Sequence, residues 1–356
     1  MPFVLSLKCF DHAAVCRRAV GFLLLFAMLN TCRADGAVLR ILAWPGYADP
    51  DVVAAFEKKS GARAEVNYVD TDDELWLRMN RNGGGDYDVY AVNTAELQRY
   101  IDKGLSAPLG VSDIPGQSNQ MPRFRNPAAI PGLMRGKRLY GIPYAYAEMG
   151  LIYNRKLVKT APTSFDAMWD PAWRGRVLAY NGSTHNFSLA ALVGGSTHPF
   201  NQSDAELRAS SQRLVNLRRN VLGFYSSPDE AVQLFMRHEV ALVFANYGSQ
   251  QLEALRAAGA DVGYVVPAAG ALAWLDCWVI SSRSRSPALA AQWIDFSLQP
   301  EVSAILSTRH GLSNTVTPAT AGSASDTLVW LQPPEDYAQR QRLWSRILSG
   351  DAMRKY

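Results

Sequence analysis

The chain has 356 residues, 48% of them hydrophobic and 19% charged, which excludes a disordered protein and allows two ordinary domains with cores of their own. Its formal charge of +4 gathers at the start: residues 1–34 hold Lys8, Arg17, Arg18 and Arg33 against Asp11, so the remainder carries only +1. A nearly neutral remainder argues against a nucleic-acid partner.

Residues 1–34 predict a cleavable export leader. Basic residues precede an apolar run at 19–29, which is too short to span a bilayer, and Cys32-Arg33-Ala34 offers a small-residue exit before Asp35. Leu29-Asn30-Thr31-Cys32 is also a weak lipobox, so lipid anchoring at Cys32 is the alternative. Cys9, Cys16 and Cys32 fall in the leader and only Cys277 lies beyond it, so no internal disulfide is expected. An exported chain without disulfides suits a bacterial periplasm.

Strands are predicted at 37–43, 63–68 and 87–92. They alternate with helices at 51–59 (Pro50 before it, Gly61 after it), 71–80 and 94–103. An aromatic extended stretch fills 141–154. A second series follows, with strands at 176–180, 240–245, 262–266 and 271–280, and helices at 187–193, 204–219 and 249–258. Late helices are predicted at 287–298, 300–309 and 337–348. Alternation of this kind means βαβ units around mostly parallel sheets. With no linker between the halves, two α/β lobes are expected to share crossing strands at 141–146 and 274–279 and to leave a cleft between them.

Catalytic motifs are missing: there is no nucleophile elbow, paired-cysteine motif, zinc-binding helix or phosphate loop. The four histidines beyond the leader lack metal-ligand spacing, and Asp70, Asp72, Asp73 and Glu74 suit the start of a helix. Neither an enzyme, nor a metal site, nor a cofactor is predicted.

Trp274-Leu275-Asp276 places an indole and a carboxylate on one face of a strand, and Trp44-Pro45-Gly46-Tyr47 adds an aromatic pair after the first strand. Such a pairing suits an ammonium ligand; alone, it is also what a buried tryptophan beside a paired aspartate would look like.

Together with F-E-K-K-S-G-A-R-A-E-V, Y-D-V-Y-A-V, Y-G-I-P-Y-A-Y and Q-W-I-D-F-S-L-Q-P-E-V, in this order, these segments resemble the periplasmic spermidine/putrescine-binding proteins of ABC importers. The resemblance runs from about Leu39 to about Gly350. It implies an α/β, two-lobed type II periplasmic binding protein fold with the ligand cleft between lobes, and no catalysis. The implied lobes are residues 35–144 with 276–320, and 145–275 with 321–356. The implied partners are a small cationic or zwitterionic amine and an inner-membrane permease, with the chain acting as a periplasmic monomer.

By the same resemblance, Trp44 and Tyr47 match the early aromatic pair of the polyamine channel, while Trp274 and Asp276 match its late aromatic wall and carboxylate. Departures are equally specific. Gly46 stands where relatives often carry an acid, Ala95 where they are often aromatic or polar, and Gly182 and His185 near two further acids. Ala245-Asn246-Tyr247 replaces an expected tryptophan. Glu148 is an added acid, expected to hold amino groups together with Asp276, and a protonated His185 would suit a ligand carboxylate. Each charge-assisted hydrogen bond contributes roughly 1.5–3 kcal/mol, so two lost carboxylates weaken a diamine by roughly two to four decades. The resemblance implies a polyamine such as putrescine or spermidine as the ligand. The lost acids favour the alternative of an amino acid, aminophosphonate or other small zwitterion, and a secreted hydrolase is the more remote alternative.

Overall fold

A computed structural model describes residues 37–268, 270–318 and 328–351. The expected leader and Cys32 lie outside the described residues. Strand β1 (Val38–Ala43) is followed by α1 (Pro50–Ser60), β2 (Arg63–Tyr68), α2 (Asp72–Asn80), β3 (Val89–Asn93) and α3 (Thr94–Asp102). Local chemistry sets these boundaries. Proline opens α1, where a missing N–H costs nothing, and Gly61 closes it in the left-handed conformation that the turn needs. Thr71 and Asn93 cap α2 and α3 through their side chains. β1, apart from Arg40 which pairs with Asp88, and β3 as far as Val92 are apolar because helices cover the sheet. Trp293, on a later helix, lies edge-on both to Phe56 of α1 at 5.2 Å and to the strand residue Trp278 at 5.8 Å.

After a small hairpin of β4 (Met134–Arg135) and β5 (Arg138–Leu139), the predicted stretch at 141–154 divides into two strands. β6 (Ile142–Glu148) joins the first sheet and β7 (Gly150–Asn154) joins a second. The second series contains β8 (Val177–Tyr180), α4 (Ser183–Val193), α5 (Asp204–Arg218), β9 (Val221–Tyr225) and α6 (Pro228–Arg237). It continues with β10 (Leu242–Ala245), α7 (Gly248–Ala257) and β11 (Val262–Val265). Sequence reading found neither β9 nor α6. The chain then returns through β12 (Ala271–Ile280), α8 (Pro287–Ser297), α9 (Pro300–His310), β13 (Ser313–Asn314) and β14 (Leu328–Trp330) to α10 (Tyr337–Leu348).

Seven strands form the first sheet, in the order β13-β6-β12-β3-β1-β2 with β14 beside β12, and the second runs β11-β7-β10-β8-β9. Three crossings link them: between Glu148 and Gly150, between Val265 and Ala271, and between Trp330 and Tyr337, where α10 leaves to pack on α4 and α5. The first crossing is stapled by Tyr264, whose hydroxyl donates to the Glu148 carbonyl (2.8 Å) and accepts from the Gly150 N–H (3.2 Å). A Cβ on Gly150 would lie 2.5 Å from that ring, so only glycine fits there.

Candidate functional site between the lobes

β12 lies antiparallel between β3 and β6, and its register fixes which side chains meet. Asp276 pairs with Asn93 on one side and Ala145 on the other, and Trp274 pairs with Ala147. Opposed residues share a face, so Trp274, Asp276, Asn93 and the two alanines all point one way. Both alanines are buried, and Ala147 lies against Gly248 at the start of α7.

Tyr47 reaches this face from the turn after β1. Its hydroxyl donates to Asp276 Oδ2 at 2.7 Å, and Asn93 Nδ2 donates to Oδ1 at 3.3 Å. The Tyr47 ring is held edge-on by Tyr144 at 5.4 Å and Trp278 at 6.2 Å. Trp44 is half-buried beside it, with its indole Nε1 lacking a partner. Asp276 is only 7% exposed, and burial pushes its carboxyl up to about 6 despite the two donors. Burial first, and the neighbouring Asp276 second, raise the Tyr47 phenol far above its ordinary range, so it remains a donor.

Gly46, the position expected to have lost an acid, adopts φ +88°, and a Cβ there would lie 2.9 Å from the His310 ring. That ring is fixed by a 2.8 Å contact to Asp49. An acidic side chain has no room at this point.

The second lobe contributes aromatic rings. Tyr180 is the centre of an edge-to-face cluster, with His185 at 5.0 Å, Tyr225 at 5.8 Å and Tyr247 at 5.9 Å. Trp274 links the lobes by donating from Nε1 to the Asn246 carbonyl (2.9 Å), while the Asn246 N–H donates to the Tyr225 hydroxyl (3.0 Å). Two expectations change here. His185 is pushed down to about 4 by burial, so its ring is neutral at neutral pH and offers hydrogen bonds, not charge. Glu148 pairs with Ala273, which puts it on the opposite face of β6 and β12 from Asp276. There it is 1% exposed, its Oε1 has no partner, and burial raises its carboxyl against the opposing pull of Arg123. Glu148 and Asp276 therefore cannot grip one ammonium group.

Asn93 escaped sequence reading. As the last residue of β3 it does two jobs, capping α3 through Oδ1 (2.9 Å to the Ala95 N–H) and touching Asp276 through Nδ2. Its only sequence signal was a capping residue at a strand end. Cys277 is buried, with Sγ 3.3 Å from the Val92 carbonyl, and burial raises its thiol, so it is inert as a nucleophile. Among the described residues, no group of three or more His, Cys, Asp or Glu comes together as a metal site.

Two sheets joined by crossing strands, with a carboxylate and aromatic walls between them, define a two-lobed solute-binding protein. Residues 51–335 match the family model of bacterial extracellular solute-binding proteins, and the chain belongs to that family. It is 23% identical over 288 residues to the norspermidine sensor of Vibrio cholerae, covering 80% of this chain and 77% of that one. It is 22% identical over 359 residues to the putrescine-binding periplasmic protein PotF of Escherichia coli, covering 92% and 95%. Among solved structures, the spermidine/putrescine substrate-binding protein PotD of Streptococcus pneumoniae superposes with a TM-score of 0.74 at 22% identity, over 88% of this chain and 99% of that one.

Proposed function

We propose that this is the periplasmic binding protein of an ABC importer, which closes its lobes on a small organic amine and delivers it to a membrane permease without chemical change. The carrying observation is Asp276, a buried carboxylate at the lobe junction with aromatic side chains around it. An ammonium group entering there gains a charge-assisted hydrogen bond and an indole face. Relatives named for putrescine and norspermidine support an amine as the ligand class. Closure follows because a ligand that touches both lobes stabilises the closed form. The lobe boundaries belong at the three crossings, so β6 as far as Glu148 and β12 from Ala271 go with the first lobe. This places two boundaries several residues away from 144/145 and 275/276; the expected 320/321 boundary lies outside the described residues.

Calorimetric titration of the ligand-stripped protein with putrescine, spermidine, agmatine and 4-aminobutyrate tests this. At least one is expected to bind, and Asp276→Asn is expected to weaken it about 10- to 100-fold. Equal affinity in the variant would remove Asp276 from the site. Loss of amine uptake on deleting the gene is expected for an importer, whereas intact uptake would point to a sensor.

A further inference from the structure

The carboxylate at the lobe junction, Asp276, belongs to the first lobe. Across the junction, β8, β9 and β10 run parallel and end at one edge of the second sheet. Residues 180–187, 225–228 and 245–252, which continue from those ends, include no acid. His185 is neutral there, and the tyrosine cluster around Tyr180 carries no charge.

Two side chains that touch the Tyr225 hydroxyl each leave a polar atom unmatched, and both are amides. Tyr225 accepts the Asn246 N–H at 3.0 Å, and its hydroxyl lies 3.0 Å from Gln251 Oε1. Asn246 is 4% exposed, yet its Oδ1 has no partner; Gln251 is 0% exposed, and its Nε2 has none. Trp274 of the first lobe donates to the Asn246 carbonyl, so this residue stands where the lobes meet. One open atom accepts and the other donates. An ammonium only donates and a carboxylate only accepts, so either would answer half of the pair. A hydroxyl does both. Charge points the same way, because an ammonium stripped of water here would meet no anion among the described residues of this edge.

We infer that the ligand is a monocation, an amino alcohol with its ammonium on Asp276 and its hydroxyl at Asn246 and Gln251. The inference rests on the amine reading above and adds the ligand's other end. Trp274 and Asp276 are two residues apart on β12, about 7 Å along the strand, which suits a four-carbon chain. Acids near the far end lie at its margin. Asp229 and Glu230 are exposed in the first turn of α6, where Glu230 accepts the Ser226 N–H. Asp72 of the first lobe is exposed, and its charge acts on Tyr180 and Tyr247. It is the acid that would favour a second ammonium instead.

Three matched probes are 4-amino-1-butanol, putrescine and 4-aminobutyrate, alike in length and differing in one terminal group. In calorimetric titration, wild-type protein is expected to bind the amino alcohol at least about tenfold more tightly than either of the others. Asn246→Asp supplies the missing anion and is expected to put putrescine ahead. Should that variant fail to fold, Gln251→Met is expected to shrink the lead of the amino alcohol to within about threefold. Equal binding of the amino alcohol and putrescine by wild type would leave the two amides to an internal water and overturn the inference. So would tighter binding of putrescine that is lost in Asp72→Asn, or tighter binding of 4-aminobutyrate. In each of these cases, weakening by Asp276→Asn leaves the amine reading standing. Binding of no probe in an Asp276-dependent manner would bring down both.

Discussion

Asp276 is a carboxyl whose proton the folded chain holds more tightly than an unfolded chain does, because burial disfavours its charge. An arriving ammonium must displace that proton. Below about pH 6 affinity is therefore expected to fall close to tenfold per pH unit, so that binding at pH 5 is about tenfold weaker than at pH 7. Calorimetry at the two pH values checks this, and Asp276→Asn should flatten the profile. Stability of the unliganded protein runs in the same sense. Since the folded pKa is raised, the contribution of Asp276 is fullest below the ordinary carboxylate range and is lost as pH rises through about 6, by at most about 3 kcal/mol. Comparing wild type with Asp276→Asn in denaturant melts across that window isolates it from the other carboxyls. Glu148 makes the contrast. Lying on the far face, it is expected to tolerate replacement by Gln with ligand affinity within about twofold and stability unchanged or higher, since one oxygen of this buried carboxyl has no partner. A tenfold loss of affinity would put it back in the site.

At the scale of elements, legibility followed periodicity and end signals. The Pro50 and Gly61 limits of α1, the apolar β3 and the long β12 could all be read directly, because their capping residues and hydrophobic runs are local. The stretch at 141–154 could be recognised as extended but not divided. Its break at Met149 comes from Leu272 and Tyr264, more than a hundred residues away, which bond to Met149 and Gly150. Glu148 was misplaced for a related reason: which face a residue takes depends on pairing with β12, and no local signal carries that register. Gly46 could be seen as a missing acid, whereas the His310 ring that fills its space could not. β9 escaped notice because Leu222, Gly223 and their neighbours mix apolar and small residues at a sheet edge, with Leu222 37% exposed.

For the whole molecule, the order of the family-like segments was enough to predict two lobes, and the sheets confirm that architecture. How the last helix is attached could not be read. Arg340 of α10 is completely buried, donating to Glu335 (2.7 Å), the Ser188 hydroxyl (2.8 Å) and the Pro199 carbonyl (2.8 Å). It thereby fastens the C-terminal helix to α4 and the loop after it. Removing one partner of such a buried pair leaves the other uncompensated, so Arg340→Ala is expected to cost about 3–5 kcal/mol in chemical denaturation. A loss below about 1 kcal/mol would show that α10 is held by its apolar face alone.

The bond from Trp274 to Asn246 has an optical consequence. An indole that is 9% exposed and tied to the opposite lobe emits from a dry, hydrogen-bonded environment. Parting the lobes would break that bond and wet the ring. Trp274 is one of nine tryptophans, so the part of the emission that Trp274→Phe removes, and not the total, is expected to report how far the lobes stand apart, without any label attached.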